Sequence, residues 1–328
     1  MKIKKLDVIK KFRDLKVIVL GDVMLDIYDF CYTSESKPIS SEKPGKRAYK
    51  ALDSIKTLGG AGNVAANLSS LGVSTVLITV CGKDGHYFTL QALADKLNIH
   101  HFFIQDKSRP TTTKTRLYID DEYLLRRDDE VITQLSPEIT AILMNEFKRE
   151  VKGTDAVILS DYNKGFFTEE FSQHIISLCK ERNVPVVVDF KPANKTCFKG
   201  ADIIVPNRPE AESMQPGFLD RGNLEQATRS LYNLFECPNL VVTLGSSGLC
   251  GYDGNVFFEV PANKVEVIDG VGCGDTVRAC LALGFALGLN LHEAGSLAND
   301  AAAVVLQKVG TATLSRNELE AFIEKQKE

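Results

Sequence analysis

The stretch Asp269-Gly-Val-Gly-Cys-Gly-Asp275 runs directly into Thr276–Leu287. Glycines at alternate positions, Gly270, Gly272 and Gly274, strip side chains from a turn. The apolar residues that follow (Val277, Leu281, Leu283, Phe285, Leu287) predict a buried helix opening at that turn. Such an opening has free N–H groups, here from about Gly272 to Asp275, that point one way and carry the positive end of the helix dipole. A phosphoryl group can sit on them. Asp275 is the odd residue there, because a carboxylate repels a phosphate. Its presence makes sense if it takes a proton from an incoming nucleophile. The alternative is that it caps the helix.

Outward from this turn the chain alternates. β runs at 16–20, 74–80, 156–159, 184–189, 203–205 and 240–244 are interleaved with helical patterns at 63–71, 87–96, 138–151, 169–182 and 224–235, with 101–104 extended. Short apolar strands separated by helices imply an α/β fold, a doubly wound, mostly parallel sheet covered on both faces. Ligands on such a sheet lie beyond the carboxyl ends of its strands. Gly21-Asp22, Ser160-Asp161, Asp189, Pro206-Asn207 and Gly245 each follow a strand, so polar chemistry converges on one edge.

Two segments depart from the alternation. Residues 28–55 are long, polar and interrupted by Pro38 and Pro44, while 111–128 alternate in a β-like way. Together they predict a small second sheet over the site, one that excludes water from phosphoryl transfer. A structural insertion or an oligomer contact is the other reading. The expected division is a kinase domain of residues 1–27, 57–110 and 129–328 and a lid of residues 28–56 and 111–128.

Composition excludes several classes. The chain has 328 residues, 44% hydrophobic and 25% charged, with 39 basic residues against 43 acidic for a net charge of −4. That balance argues against nucleic acid as a partner. The eight cysteines form no CxxC pair and read as free thiols of a reducing cytoplasm. No apolar run is long enough to span a bilayer, and residues 1–13 lack the apolar core of a secretory signal. There is no GxxxxGK[ST], HRD, DFG or HExxH motif. The five histidines show no metal-ligand spacing, and Gly59-Gly-Ala-Gly62 is not a dinucleotide fingerprint.

Gly59-Gly-Ala-Gly-Asn63-Val-Ala65, followed by Gly72 and Gly82, resembles the first signature of the PfkB (ribokinase-like) sugar kinases, and Asp269–Asp275 their second, usually DTxGAGD. GDVMLD (Asp22, Asp26), Thr112–Lys114 with Arg116, SDYNKG (residues 160–165), NRPE (Asn207, Glu210) and GTATLS (residues 310–315) are similar to one branch, the D-glycero-β-D-manno-heptose-7-phosphate 1-kinases. These residues span nearly the whole chain. The resemblance implies a ribokinase-like fold with a β lid, ATP and Mg²⁺ as cosubstrate and cofactor, and a possible K⁺ site. It also implies a homodimer paired through the lids, in a pathway toward ADP-heptose and lipopolysaccharide. No HxGH segment follows the kinase unit, so a separate adenylyltransferase and a phosphatase are expected. Departures are Gly270 in place of Thr, Cys273 in place of Ala, Cys280 in place of a smaller residue, and EKPGKRAY (residues 42–49) in the lid.

The resemblance assigns roles to matching positions. Asp275 is the expected base for the anomeric hydroxyl, with the N–H groups of Gly272, Cys273 and Gly274 holding developing charge. Asp22, Asp26, Gly59, Gly60, Asn63 and Asp161 are expected at the sugar, where carboxylates and amides suit vicinal hydroxyls. Asp26 could instead form a turn. Lys114, Arg116, Arg126, Arg127 and Lys164 are candidates for a substrate phosphate, Arg116 and Lys164 foremost; each could equally be a solvated surface cation. Asn207 and Glu210 are expected to order water around Mg²⁺, or else to cap a helix. Thr243, Gly245, Gly248 and Asn299 are expected around ATP. Carbonyls at Asp269, Val271 and near Gly310 are expected at the monovalent cation. The function implied is ATP-dependent 1-phosphorylation of heptose 7-phosphate. The alternatives are another acceptor (fructose 6-phosphate, ribose, a nucleoside) or a silent sugar-binding protein.

Overall fold

The structure is a computed structural model describing residues 2–39, 42–219 and 221–326. In chain order it comprises α1 (Lys2–Lys10), β1 (Lys16–Cys31), β2 (Lys37–Pro38), β3 (Arg47–Ala48), β4 (Ala51–Gly60), α2 (Ala61–Ser70), β5 (Ser74–Gly82), α3 (His86–Lys96) and β6 (His100–Asp106). Next come β7 (Thr113–Ile119), β8 (Glu122–Asp129), α4 (Pro137–Glu150), β9 (Ala156–Ser160), α5 (Glu169–Lys180), β10 (Val186–Asp189), β11 (Ile203–Ile204) and α6 (Arg208–Met214). The chain continues with α7 (Leu224–Tyr232), β12 (Asn239–Thr243), β13 (Leu249–Tyr252), β14 (Phe257–Val260), α8 (Cys273–Ala286), α9 (Leu291–Val305) and α10 (Arg316–Lys325).

The main sheet runs β14-β13-β12-β11-β10-β9-β1-β5-β6, antiparallel only where β13 meets its neighbours β12 and β14. Its strands are apolar on both faces, which is why they read as continuous runs and not as alternations. In β1, Val17 and Val19 pack into one core with Val64, Leu68, Leu281 and Leu297 of the helices α2, α8 and α9. Ile18 and Leu20 point the other way, into a second core with Leu143, Phe147, Ile175 and Leu231 of α4, α5 and α7. Helices therefore cover both faces, and the doubly wound reading holds.

One boundary is corrected. The first strand does not stop at Leu20 but continues to Cys31, so Gly21 and Asp22 lie inside a strand and not after it. The first half of β1 pairs with β5 and β9, while its second half pairs with β4 and β7. Gly21 is where the chain crosses over. Its φ is 153°, and a Cβ there would stand 2.0 Å from the Ser160 carbonyl oxygen of β9, so only glycine fits. The lid is a sheet of β4, the upper part of β1, β7 and β8. It hangs from the core on one shared strand, which passes straight through the expected division at residue 28. Its strands β4 and β8 leave Leu52, Ile55, Tyr123, Leu124 and Leu125 exposed. Among the described residues no helix is long and apolar enough to cross a membrane.

Candidate active site

The turn before α8 is built without a side-chain cap. Gly272 occupies the N-cap position in the left-handed region, at φ 77°, whereas α6, α9 and α10 start with capping boxes from Asn207, Asn290 and Ser315. The orphan N–H groups of α8 are thus available to a ligand. The expected set shrinks, though. The Asp275 N–H donates to the Gly272 carbonyl at 3.0 Å and the Cys273 N–H to that of Gly270 at 3.3 Å. Gly272 and Gly274 supply the remaining donors, because the tight turn has spent the other two. Burial pushes the Cys273 thiol up to about 11, so it stays neutral beside this seat.

Asp275 lies in the first turn of α8, is 4% exposed, and its side chain does not cap the helix. Oδ1 accepts from the Tyr162 hydroxyl and from Arg278 Nη1, both at 2.9 Å. Oδ2 accepts from Asn63 Nδ2 at 2.7 Å. Oδ1 is therefore saturated and Oδ2 keeps a lone pair. Asn63 was expected at the sugar; it is 1% exposed and its amide is committed to Asp275. The left-handed glycine explains this, since a Cβ at position 272 would stand 2.6 Å from Asn63 Nδ2.

Below Asp275, Arg278 Nη2 also lies 2.8 Å from Asp189 Oδ1, an ion pair with no N–H aimed well enough for a hydrogen bond. Burial pushes the Asp189 carboxyl up to about 7, although Arg278 opposes the shift. Asp189 was read from the sequence only as a polar residue at a strand end, and neither Tyr162 nor Arg278 was singled out. Arg278 had a signal, being the lone charge inside the apolar run Val277–Leu287.

Asp22 and Asp26 lie four residues apart on β1, so the pleat turns both to one face. Asp22 Oδ2 accepts from the backbone N–H groups of Tyr162 at 2.8 Å and Lys164 at 3.2 Å. Burial, with the nearby charge of Asp161, raises the Asp22 pKa to about 7. Asp26 is no turn residue; mid-strand, it takes a 2.7 Å bond from Arg116 Nη1. Its pKa is raised by burial and held back by that guanidinium. The glycines were expected to admit a ligand, but the space is used by β1 itself. A Cβ at Gly59 would lie 2.3 Å from Asp26 Oδ2, and one at Gly60 2.4 Å from the Asp22 carbonyl oxygen. Asp161 is fully buried, its oxygens filled by the N–H of Asn163 at 2.8 Å, the Asn194 amide at 2.9 Å and the N–H of Lys191 at 3.2 Å.

The expected phosphate cations are all paired with carboxylates. Lys114 Nζ lies 2.9 Å from Asp128 and 3.8 Å from Glu130, Lys164 Nζ 2.6 Å from Glu130, and Arg116 2.7 Å from Asp26. Arg126 pairs with Asp128 at 2.8 Å and Arg127 with Asp129 at 2.5 Å. Arg109, missed from the sequence, joins Asp106 at 2.9 Å and donates to the Lys164 carbonyl, fixing the SDYNKG loop.

Thr243, Gly245, Gly248 and Asn299 come together around a cavity of about 510 Å³, walled also by Leu249, Val277 and Leu306 and reaching Gly270, Cys273 and Gly274. Asn299 does not offer its amide to this space; Nδ2 donates to the Pro261 carbonyl at 3.0 Å. A mostly apolar cavity ending at uncapped helix N–H groups suits an adenine ring with its phosphates at the α8 turn. Asn207 bridges to Thr243 at the cavity's end. Asn207 and Glu210 do form a capping box, and Glu210 Oε1 takes Lys191 Nζ at 2.6 Å. Among the described residues no cluster of three metal-ligating side chains exists. The pair therefore fits a hydrated Mg²⁺ carried by the nucleotide, held through water, and not a protein-ligated ion. Asp269 ties two loops together, accepting from the N–H of Val271 and of Gly310, each at 2.9 Å. This brings together the two segments whose carbonyls were expected at a monovalent cation.

The description "pfkB family carbohydrate kinase" matches residues 14–318. "Bifunctional protein HldE" of Campylobacter jejuni is 36% identical over 308 residues, 94% of this chain and 64% of that protein. The protein of the same name from Trichlorobacter lovleyi is 35% identical over 312 residues, 94% of this chain and 63% of its own. The chain thus spans less than two thirds of the length of these relatives. Phosphofructokinase-2 from Escherichia coli, solved in complex with potassium, superposes with a TM-score of 0.77 at 18% identity, covering 96% of this chain and 100% of that one. Ribokinase from Thermotoga maritima does so with 0.70 at 22%, covering 94% and 99%. These two structures carry the fold argument alone. A family match across nearly the whole described sheet, ending on a carboxylate at an uncapped glycine turn, leaves one conclusion: the chain belongs to the pfkB family of carbohydrate kinases and is a sugar kinase.

Proposed function

We propose that the chain transfers the γ-phosphoryl group of ATP to the anomeric hydroxyl of D-glycero-β-D-manno-heptose 7-phosphate, giving the 1,7-bisphosphate and ADP. The observation that carries the chemistry is Asp275, saturated at Oδ1 and left with a lone pair at Oδ2, beside the free N–H groups of Gly272 and Gly274. The sugar oxygen attacks phosphorus, the bond from the γ-phosphorus to the bridging oxygen breaks, and its electron pair leaves on ADP. Oδ2 accepts the hydroxyl proton. The two N–H groups meet the charge that builds on the phosphoryl oxygens. Asn207 and Glu210 would hold the nucleotide's Mg²⁺ through water, and that ion would neutralise charge on the phosphates.

The choice of a heptose phosphate rests on the relatives named HldE and on the lysines Lys114 and Lys164 gathered around Glu130. A second reading has its own support. Because Lys114, Lys164 and Arg116 all hold carboxylates, a neutral sugar would leave no cation unpaired. ADP release with ATP and Mg²⁺ is the test, compared across heptose 7-phosphate, fructose 6-phosphate, ribose and adenosine. Turnover confined to the heptose phosphate supports the proposal, and turnover with another acceptor replaces it.

The reading extends to assembly and setting. The exposed Leu52, Ile55, Tyr123, Leu124 and Leu125 fit a homodimer closed lid against lid. The segments that Asp269 ties together fit K⁺. The enzyme would act in the cytoplasm, its product passing to a phosphatase and an adenylyltransferase on the way to ADP-heptose and lipopolysaccharide.

A further inference from the structure

We propose that Arg278 is a positioning residue for phosphoryl transfer, holding the Asp275 carboxylate in place and supplying the positive charge that lets a polyphosphate approach an acidic floor. The inference deepens the reading of Asp275 as the base and rests on it.

A carboxylate next to a phosphate seat poses a physical problem, since the two repel. Here the problem is compounded: Asp189 lies beneath Asp275, with Glu210, Asp161 and Asp22 around the same strand ends. Lys191 answers only part of this charge, being spent on Glu210 with its ammonium 5.4 Å from the Tyr162 ring. Arg278 answers the rest. Its guanidinium is 7% exposed, bonds Asp275 through Nη1 at 2.9 Å and faces Asp189 through Nη2 at 2.8 Å. It also abuts the anion turn: a Cβ on Gly274 would stand 3.1 Å from Nη1 and 3.4 Å from Cζ. Gly274 is thus small for the sake of the arginine under it, as well as for the ligand above.

The planar fork matters as much as the charge. Asp275 Oδ1 is pinned between a phenol and a guanidinium, which holds the carboxylate against rotation and leaves Oδ2, bonded to Asn63 alone, with its free lone pair. In a purely structural ion pair the arginine would serve Asp189 alone. Instead it spans a buried structural carboxylate and the reactive one, three residues away on its own helix.

The test compares Arg278→Met, Arg278→Lys and the double change Arg278→Met with Asp189→Asn, which removes both charges of the buried pair together. ADP release gives kcat and the sugar KM for each, circular dichroism gives folding and Tm, and Asp275→Asn is the control. The double variant is expected to be folded, with kcat about 100-fold below wild type and the sugar KM within about three-fold, the pattern of an interaction realised in the transition state. Arg278→Lys is expected to regain about ten-fold, since it restores the charge but not the fork. A folded double variant with wild-type kcat overturns the proposal, as does a loss confined to KM. If neither methionine variant folds, Arg278→Lys decides alone, and wild-type kcat there overturns it. No ADP from wild type, or an active Asp275→Asn, instead removes the base reading, and the proposal falls with it.

Discussion

The two ends of the site solve the problem of charge differently. At the α8 turn, Asp275, Arg278 and Asp189 are buried, their geometry set by one helix and the strand ends beneath it. At the lid, Lys114 of β7, Arg126 of β8 and Lys164 of the loop after β9 share Asp128 and Glu130, and each of these side chains keeps some exposure, 14% for the lysines and 47% for Arg126. Breaking a pair of the first kind leaves a charge in low dielectric and costs about 3–5 kcal/mol. Pairs of the second kind are partly solvated and share their carboxylates, Lys114 reaching both Asp128 and Glu130, so they cost less to break and can exchange partners. The Asp275 end is therefore preorganised; on the proposed function the lid end would have to re-pair when a phosphate dianion arrives, which would put catalysis in the rigid half and substrate choice in the exchangeable half.

The largest expected effect tests the rigid half. Asp275→Asn keeps the shape and removes the proton acceptor, so kcat should fall by about 10³-fold in a protein that still folds, with Tm lowered because Arg278 loses one of its two carboxylates. A variant retaining a tenth of wild-type turnover would end the assignment. At the lid, Lys164→Gln should raise the KM for heptose 7-phosphate by about 10- to 100-fold and leave the KM for ATP alone. Glu130→Gln should do the reverse by a few-fold, because it frees the lysines. Equal effects on phosphorylated and neutral sugars would show that the lysines do not read the phosphate. Sedimentation at micromolar concentration should give a dimer, converted to monomer by Leu124→Asp on the lid's exposed face. A wild-type monomer would refute lid pairing.

The smallest effect is on stability. The Asp22 pKa of about 7 lies above its ordinary 3.8, so between these values the folded chain holds a proton that the unfolded chain has lost. Stability from this group therefore falls as pH rises from about 4 to about 7, by roughly 4 kcal/mol in all. Asp84, Asp106 and Asp128 act oppositely, losing stability as pH falls below the ordinary carboxylate range. Asp22→Asn should raise Tm by about 5 °C at pH 8 and hardly at pH 5. Equal shifts at both values would mean that Asp22 titrates normally.

Local chemistry made much of this legible in the sequence. Both-sided apolar runs forced a parallel sheet under two helical layers, and alternating glycines before an apolar helix forced an uncapped anion turn with Asp275 in it. The two irregular segments marked the lid, because neither could be buried in that alternation. What the sequence left open concerns partners distant along the chain. Asn63, Tyr162, Asp189 and Asp275 meet only because β9, β10, α2 and α8 end at one edge, and nothing local to any of them reveals whether a side chain faces a ligand or another side chain. The first strand looked short because Gly21 breaks the apolar pattern, yet pairing with β4 and β7 carries it on to Cys31. Residue spacing determined the fold and the turn that carries Asp275, since periodicity and backbone freedom are local properties. Tertiary structure alone decided which charges neutralise which, because that depends on distances between elements up to 295 residues apart.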